Sequence, residues 1–175
     1  MSKQKKILLT IDLIGIILLI AVDQLTKYLA VQQLKDKPAY IILDGILELN
    51  YLENKGAAFG MLQNQKVFFI FVAIVILSVI AYVLFKTPDH KKYRALHILL
   101  SLIAAGAIGN MIDRIRLDYV VDFIYIVLIN FPIFNVADIY VTFATAILVL
   151  MLLFVYKEQD LNFISFKQKK YREVK

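Results

Sequence analysis

The run VFFIFVAIVILSVIAYVLF, residues 67–85, constrains this chain more than any other feature, because only Ser78 and the Tyr82 hydroxyl interrupt it. About 20 such residues in an α-helix cross the ~30 Å hydrocarbon core of a bilayer. Three further stretches approach that length: 7–22, with a helix continuing past Asp23 to give a span of 7–30, then 95–112 and 137–156. Composition leaves them no other home. Of 175 residues 61% are hydrophobic and the mean hydropathy is +0.72, more apolar side chain than one core of this size can hide. The chain contains no cysteine and no tryptophan, which excludes disulfides, thiolate nucleophiles, thiolate metal sites and haem attachment through cysteine.

The first stretch follows Lys3, Lys5 and Lys6 and so imitates a signal peptide, but IAVDQLTKYLA offers no small-x-small cleavage site. It reads as a retained anchor. Three lysines at the N-terminus, Lys86, Lys91, Lys92 and Arg94 between the second and third spans, and six basic residues after Tyr156 all fall on one side of a four-span topology. The positive-inside rule makes that side cytoplasmic, with residues 23–66 and 113–136 outside. The net charge of +6 is then an orientation signal and no support for nucleic-acid binding. The basic tail, 157–175, is polar, weakly ordered and able to meet anionic headgroups.

The outer segment 36–62 is too polar to span. In YIILDGILELNYLEN two short apolar or alternating runs flank Asp44-Gly45, a hairpin signal, which predicts a small β-sheet resting on the outer membrane surface. The expected fold is an all-α membrane protein of four transmembrane helices with a small extracytoplasmic β element, in a single domain over 1–156.

Charges at membrane depth are costly and point to function. Asp23, Asp113, Asp122 and Asp138 gather at the outer edges of the spans. Asp12 lies close enough to Lys6 to be read as sitting near the inner headgroups, outside any site. Three of the four outer aspartates also have a structural explanation. Asp23 and Lys27, four apart, could be a surface ion pair. Asn110, Asp113 and Arg114 could simply terminate the third helix. Asn135 and Asp138 have capping-box spacing. Asp122, in VVDF of the following loop, has no helix-end duty to explain a lone carboxylate among bulky apolar residues. In the third span, Ala105 and Gly109 form a small-xxx-small pair that admits either a neighbouring helix of the bundle or a foreign helix; the expectation is that it docks a substrate helix.

Two carboxylates sharing a proton can activate water and protonate a leaving amine when their environments differ. Apolar neighbours should raise the Asp122 pKa, whereas the positive end of a helix dipole faces Asp138. Asp113 is the weaker candidate because pairing with the adjacent Arg114 would hold it permanently charged. HExxH, GxSxG and a phosphate-binding glycine loop are missing, and neither His90 nor His97 lies on the acidic side. Carboxylate-bound Mg²⁺ or Ca²⁺ stays open on composition alone.

Five blocks, in order, resemble the lipoprotein signal peptidase family, the bacterial type II signal peptidases: DQLTK (23–27), NKGAAF (54–59), AGAIGNMIDR (105–114), VVDF (120–123) and FNVAD (134–138). The resemblance implies an intramembrane aspartyl endopeptidase that removes the signal peptide of diacylglyceryl-modified prolipoproteins, cutting before the lipid-bearing cysteine. It implies Asp122 and Asp138 as the catalytic pair, with Asn54, Gly56, Asn110, Asp113, Arg114, Asn135 and Ala137 shaping the site. Asp23 and Lys27 would hold the outer end of the first helix, and the β-hairpin resembles the family's surface cradle. Two positions depart from the commonest pattern: Ile139-Tyr140 follows FNVAD where many members carry a small hydroxyl residue, and Ala105 replaces the first of two glycines. The expectation is a monomeric enzyme of the bacterial cytoplasmic membrane, without metal or cofactor, whose partners are prolipoproteins and lipid. The rivals are an ion-coupled transporter, which predicts carboxylates near the bilayer centre and repeat symmetry, and a structural subunit whose aspartates only cap helices.

Overall fold

The computed structural model describes residues 1–56 and 61–164. Ala57, Ala58 and Phe59 of the NKGAAF block, and the tail from 165 to 175, lie outside the described residues.

Four helices dominate: α1 (Lys3–Leu34), α2 (Lys66–Lys86), α3 (Arg94–Leu117) and α4 (Val136–Phe154), each long and apolar enough to cross a membrane. The Ser2 hydroxyl caps α1 by accepting from the Lys5 amide at 3.0 Å. At 32 residues α1 is about 48 Å long, beyond the expected 7–30 at both ends. Asp23 and Lys27 lie in the part of α1 that follows its apolar section 7–22. Half of the most apolar stretch of α3 is buried, against 11% for the other three helices, so α3 is the hub and its neighbours present most of their side chains outward. Exposed Ile11, Leu18, Phe71, Val79, Phe143 and Leu150 suit lipid rather than water. The third helix also runs past its expected end, to a left-handed Asp118 (φ 70°), so Asn110, Asp113 and Arg114 lie within it and do not terminate it.

The hairpin forms as expected, β1 (Tyr40–Leu43) against β2 (Leu47–Asn54), turning through Gly45 at φ 66°. A third strand, β3 (Val120–Ile126), joins β2 antiparallel and completes a sheet of order β1-β2-β3. Asp122 therefore sits on a strand, not in a loop. The expectation missed it because Val120 to Phe123 are all buried, which removes the alternation that marks a half-exposed strand. Val121 and Phe123 pack against Ala30 and Leu34, seating the sheet on the C-terminal end of α1.

At the opposite end, three basic segments converge. The Lys5 ammonium donates to the carbonyls of Leu84 and Thr87, both at 2.6 Å, the Ser2 hydroxyl to Asp89, and the Tyr156 hydroxyl to the Lys92 carbonyl at 3.2 Å. The first part of the tail, expected to be weakly ordered, instead forms a 3-10 segment (Glu158–Ile164). Lys92 pairs with Asp160 at 2.5 Å and Phe163 meets the Tyr93 ring edge-on. Asp12 also departs from expectation: it is buried, with Oδ2 2.6 Å from Nδ1 of His97.

Candidate active site

The polar site lies where the sheet meets the C-terminal halves of α1 and α3 and the N-terminus of α4, and local structure places each member. An antiparallel bridge between Ile124 and Phe134 pins the chain just before α4. The next residue, Asn135, is the N-cap: its Oδ1 accepts from the Asp138 amide at 3.0 Å while Asp138 Oδ2 accepts from the Asn135 amide at 3.1 Å, the expected capping box. On β2, Asn54 stands opposite Val120, and its side chain reaches diagonally to Asp122 on the same face.

Three asparagines organise the two carboxylates. Asp122 accepts from Asn135 Nδ2 (2.6 Å) and Asn54 Nδ2 (2.8 Å), one on each oxygen. Asp138 accepts from Asn110 Nδ2 (2.8 Å) and the Asn135 amide. The amide of each asparagine can be oriented from its other end, since an amide oxygen needs a donor. Asn54 Oδ1 accepts from the Gly56 amide (2.9 Å), Asn110 Oδ1 from the Lys27 ammonium (2.8 Å), and Asn135 Oδ1 from the Asp138 amide. Each NH₂ is thus turned toward a carboxylate. Asn135 joins the pair directly, bonding one aspartate through its side chain and the other through its backbone. Asp122 is buried and Asp138 half-buried. Burial first, and then the charge of Asp138, pushes the Asp122 carboxyl up to about 7.

Beneath the pair lies a charged brace. Lys27 is 3% exposed and directs its ammonium at Asp23 (3.0 Å), Asp113 (2.9 Å) and Asn110, so it is no surface ion pair. The second oxygen of Asp23 accepts from the Ala137 amide at 3.0 Å, and Asp113 Oδ2 accepts from the Val121 amide at 3.2 Å. Ala137 adjoins Asp138 and Val121 adjoins Asp122. The brace therefore grips the backbone one residue away from each carboxylate. Asp113 and Arg114 do not pair, contrary to expectation, because adjacent helical residues point about 100° apart. Arg114 turns instead to the Asn110 and Gly56 carbonyls (3.3 and 3.1 Å) and lies over the Phe69 ring. A Cβ on Gly56 would collide with the Met61 carbonyl oxygen, which explains the glycine there.

All eleven residues expected at the site meet in this one network. Gln24 was overlooked: its Nε2 bonds Asp113 at 2.9 Å and Asp23 at 3.2 Å. It stands within DQLTK, but a neutral amide beside an aspartate carries no signal until the burial of that helix face is known.

The small-residue face of α3 is closed by the protein itself, contrary to the expected docking role. Ala105 is fully buried, and a Cβ on Gly109 would stand 2.5 Å from an Asp23 carboxylate oxygen. A Cβ on Gly106 would lie 2.5 Å from the Ala137 carbonyl. These residues admit α1 and α4.

Four membrane-length helices enclosing a buried carboxylate network beneath a small sheet define a polytopic membrane protein built around a polar site. Residues 15–154 match the family model described as signal peptidase (SPase) II. Proteins called lipoprotein signal peptidase are similar: one from Streptococcus pyogenes serotype M1 is 40% identical over 84% of this chain and 93% of its own length. Another, from Caldanaerobacter subterraneus subsp. tengcongensis, is 44% identical over 75% and 88%. A bacterial membrane enzyme solved by the in meso method at 2.3 Å superposes with a TM-score of 0.75, at 29% identity over 92% of this chain and 95% of that one. The chain belongs to the signal peptidase II family, and membership makes it a membrane protease.

Proposed function

We propose that the protein is an aspartyl endopeptidase that cuts diacylglyceryl-modified prolipoproteins immediately before the lipid-bearing cysteine, with Asp122 and Asp138 as the catalytic pair. The observation that carries this reading is the Asn135 link: two carboxylates share one asparagine, and the backbone beside each is anchored by the Lys27 brace. Such rigidity suits acid–base chemistry, which needs its groups held in place before the substrate arrives. The lipoprotein substrate follows from the names of the relatives and the five matching blocks.

In this mechanism Asp122, the deeper carboxyl, holds the resting proton and hydrogen-bonds the scissile carbonyl oxygen. Asp138 takes a proton from water as the water oxygen bonds the carbonyl carbon. When the C–N bond breaks, that proton passes to the leaving amine of the cysteine, and the signal peptide keeps the new carboxylate. The site faces outward and both termini face the cytoplasm; the convergence of Lys5, Lys92 and the start of the tail at the end opposite the sheet supports this orientation. With the Ala105/Gly109 face closed, the signal-peptide helix lies along the half-buried side of α3 that carries Ala107, Asn110 and Met111, with its acyl chains in lipid.

The test is cleavage of a diacylglyceryl-modified prolipoprotein by purified protein in nanodiscs, with the cut located by mass spectrometry. Asp122→Asn and Asp138→Asn should each fall below about a hundredth of the wild-type rate while still inserting, since general acid–base catalysis supplies ~10²–10⁴-fold. Greater retained activity in either variant, or a cut elsewhere, removes the proposal.

A further inference from the structure

A polar cluster in the inner half of the bundle is not used by the catalytic reading. Asp12 and His97 are 8% and 1% exposed, and their 2.6 Å contact joins α1 to α3. Asp12 precedes Asp23 by eleven residues, about 16 Å along α1, which separates this cluster from the aspartate pair. A carboxylate accepts its bond from Nδ1–H, leaving Nε2 as the second polar atom of the ring. Nε2 is buried and bonded by no described protein atom, and the same holds for the Ser101 hydroxyl. His97 and Ser101 stand four apart on α3, hence on one face.

The Ser101 hydroxyl is unusual among its neighbours. In a dry helix a hydroxyl returns its proton to the carbonyl four residues back, and Thr10, Ser78 and Thr87 do this at 3.0, 2.7 and 2.6 Å. Ser101 makes no such bond. Lys5, two turns before Asp12, serves neither atom; its ammonium donates to the Leu84 and Thr87 carbonyls. Leaving both atoms unsatisfied would exact the full desolvation penalty of each.

We propose that Asp12, His97 and Ser101 form a binding site for one internal water molecule, held between His97 Nε2 and Ser101 Oγ. The ligand must be of water's size, since the residues are almost wholly enclosed, and must both donate and accept. A water donates to the neutral Nε2 lone pair or accepts from the imidazolium N–H, and in either case its second bond goes to the hydroxyl. An apolar guest satisfies neither atom. The hydrated cluster is an inner counterpart of the Lys27 brace, holding α1 on α3 at a second point.

The test uses the full chain in detergent micelles with ¹⁵N-labelled histidine and the exposed His90 replaced (His90→Gln), which leaves His97 as the sole histidine. Magnetisation transfer from water to the His97 ring is expected, and Ser101→Ala should abolish it. Ser101→Ala should also melt about 2–4 °C lower, the shift expected for one lost buried hydrogen bond in a chain of this size, with peptidase turnover unchanged. Absence of the transfer before Ser101 is changed overturns the proposal. So does a Ser101→Ala protein that melts at or above the parent, the result for a hydroxyl that is merely orphaned.

Discussion

At the scale of single residues, the proposed chemistry rests on how Asp122 is held. Its carboxyl titrates at about 7 in the fold against an ordinary value of 3.8, so between those limits the folded protein binds more protons than the unfolded one. The stability associated with the protonated carboxyl is complete below about 4 and is lost as pH rises through about 7. Asn at 122 cannot ionise, although both Asn54 and Asn135 point NH₂ groups at it and only one can be satisfied, a cost independent of pH. The melting temperature of Asp122→Asn relative to wild type should therefore increase steadily from pH 4 to pH 7. A flat difference across that range would mean that Asp122 does not hold the proton. The same hydrogen bonds bear on metals. All four oxygens of Asp122 and Asp138 already accept N–H bonds, which disfavours a directly bound divalent ion, so turnover should survive EDTA. Reversible loss on chelation, restored by one divalent ion, would require a metal-assisted mechanism. The two aspartates were legible because a charge at membrane depth is conspicuous. Asp12 and His97 were not, because a partner 85 residues away cannot be read from spacing.

At the scale of elements, the helix that matters most is the one least like a lipid-facing span. The small residues of α3 were visible in the sequence, but which helix they admit depends on faces that only the assembled bundle reveals. Leu at 105 or 109 would be forced into α1 or α4, and at 109 against the Asp23 carboxylate, so Ala105→Leu and Gly109→Leu should express poorly and melt lower. Ala107→Leu enlarges the half-buried side instead. It should fold normally and raise KM severalfold with little change in kcat, measured on the lipidated prolipoprotein. Normal folding of Gly109→Leu, or unaltered substrate affinity in Ala107→Leu, would return docking to the small-residue face. Element ends were the least legible feature. Polar residues such as Gln32 and Gln33 continue α1 past its apolar stretch, and β3 conceals its period by being buried on both faces.

At the scale of the whole molecule, one ammonium joins what the chain order keeps apart. Residues 23–27, 110–114, 121–122 and 135–138 come from two helices, a strand and the start of a third helix, and they meet around Lys27. The sequence displayed all four blocks but suggested the wrong partner for Asp113, since Arg114 is nearer in the chain and Lys27 is nearer in space. Lys27→Met would leave Asp23 and Asp113 buried beside each other without a cation. Breaking a buried pair from one side costs about 3–5 kcal/mol, which for a chain of this length lowers the melting temperature by on the order of 10 °C. The damage should reach the chemistry through geometry, because the Ala137 and Val121 amides are held by those two carboxylates. Adding Asp23→Asn to Lys27→Met removes one of the opposed charges and should recover part of the melting temperature, but not turnover, because Asn110 still lacks its donor from Lys27. If the single Lys27→Met variant melts within a degree or two of wild type, the brace is not what unites the sheet with the helices.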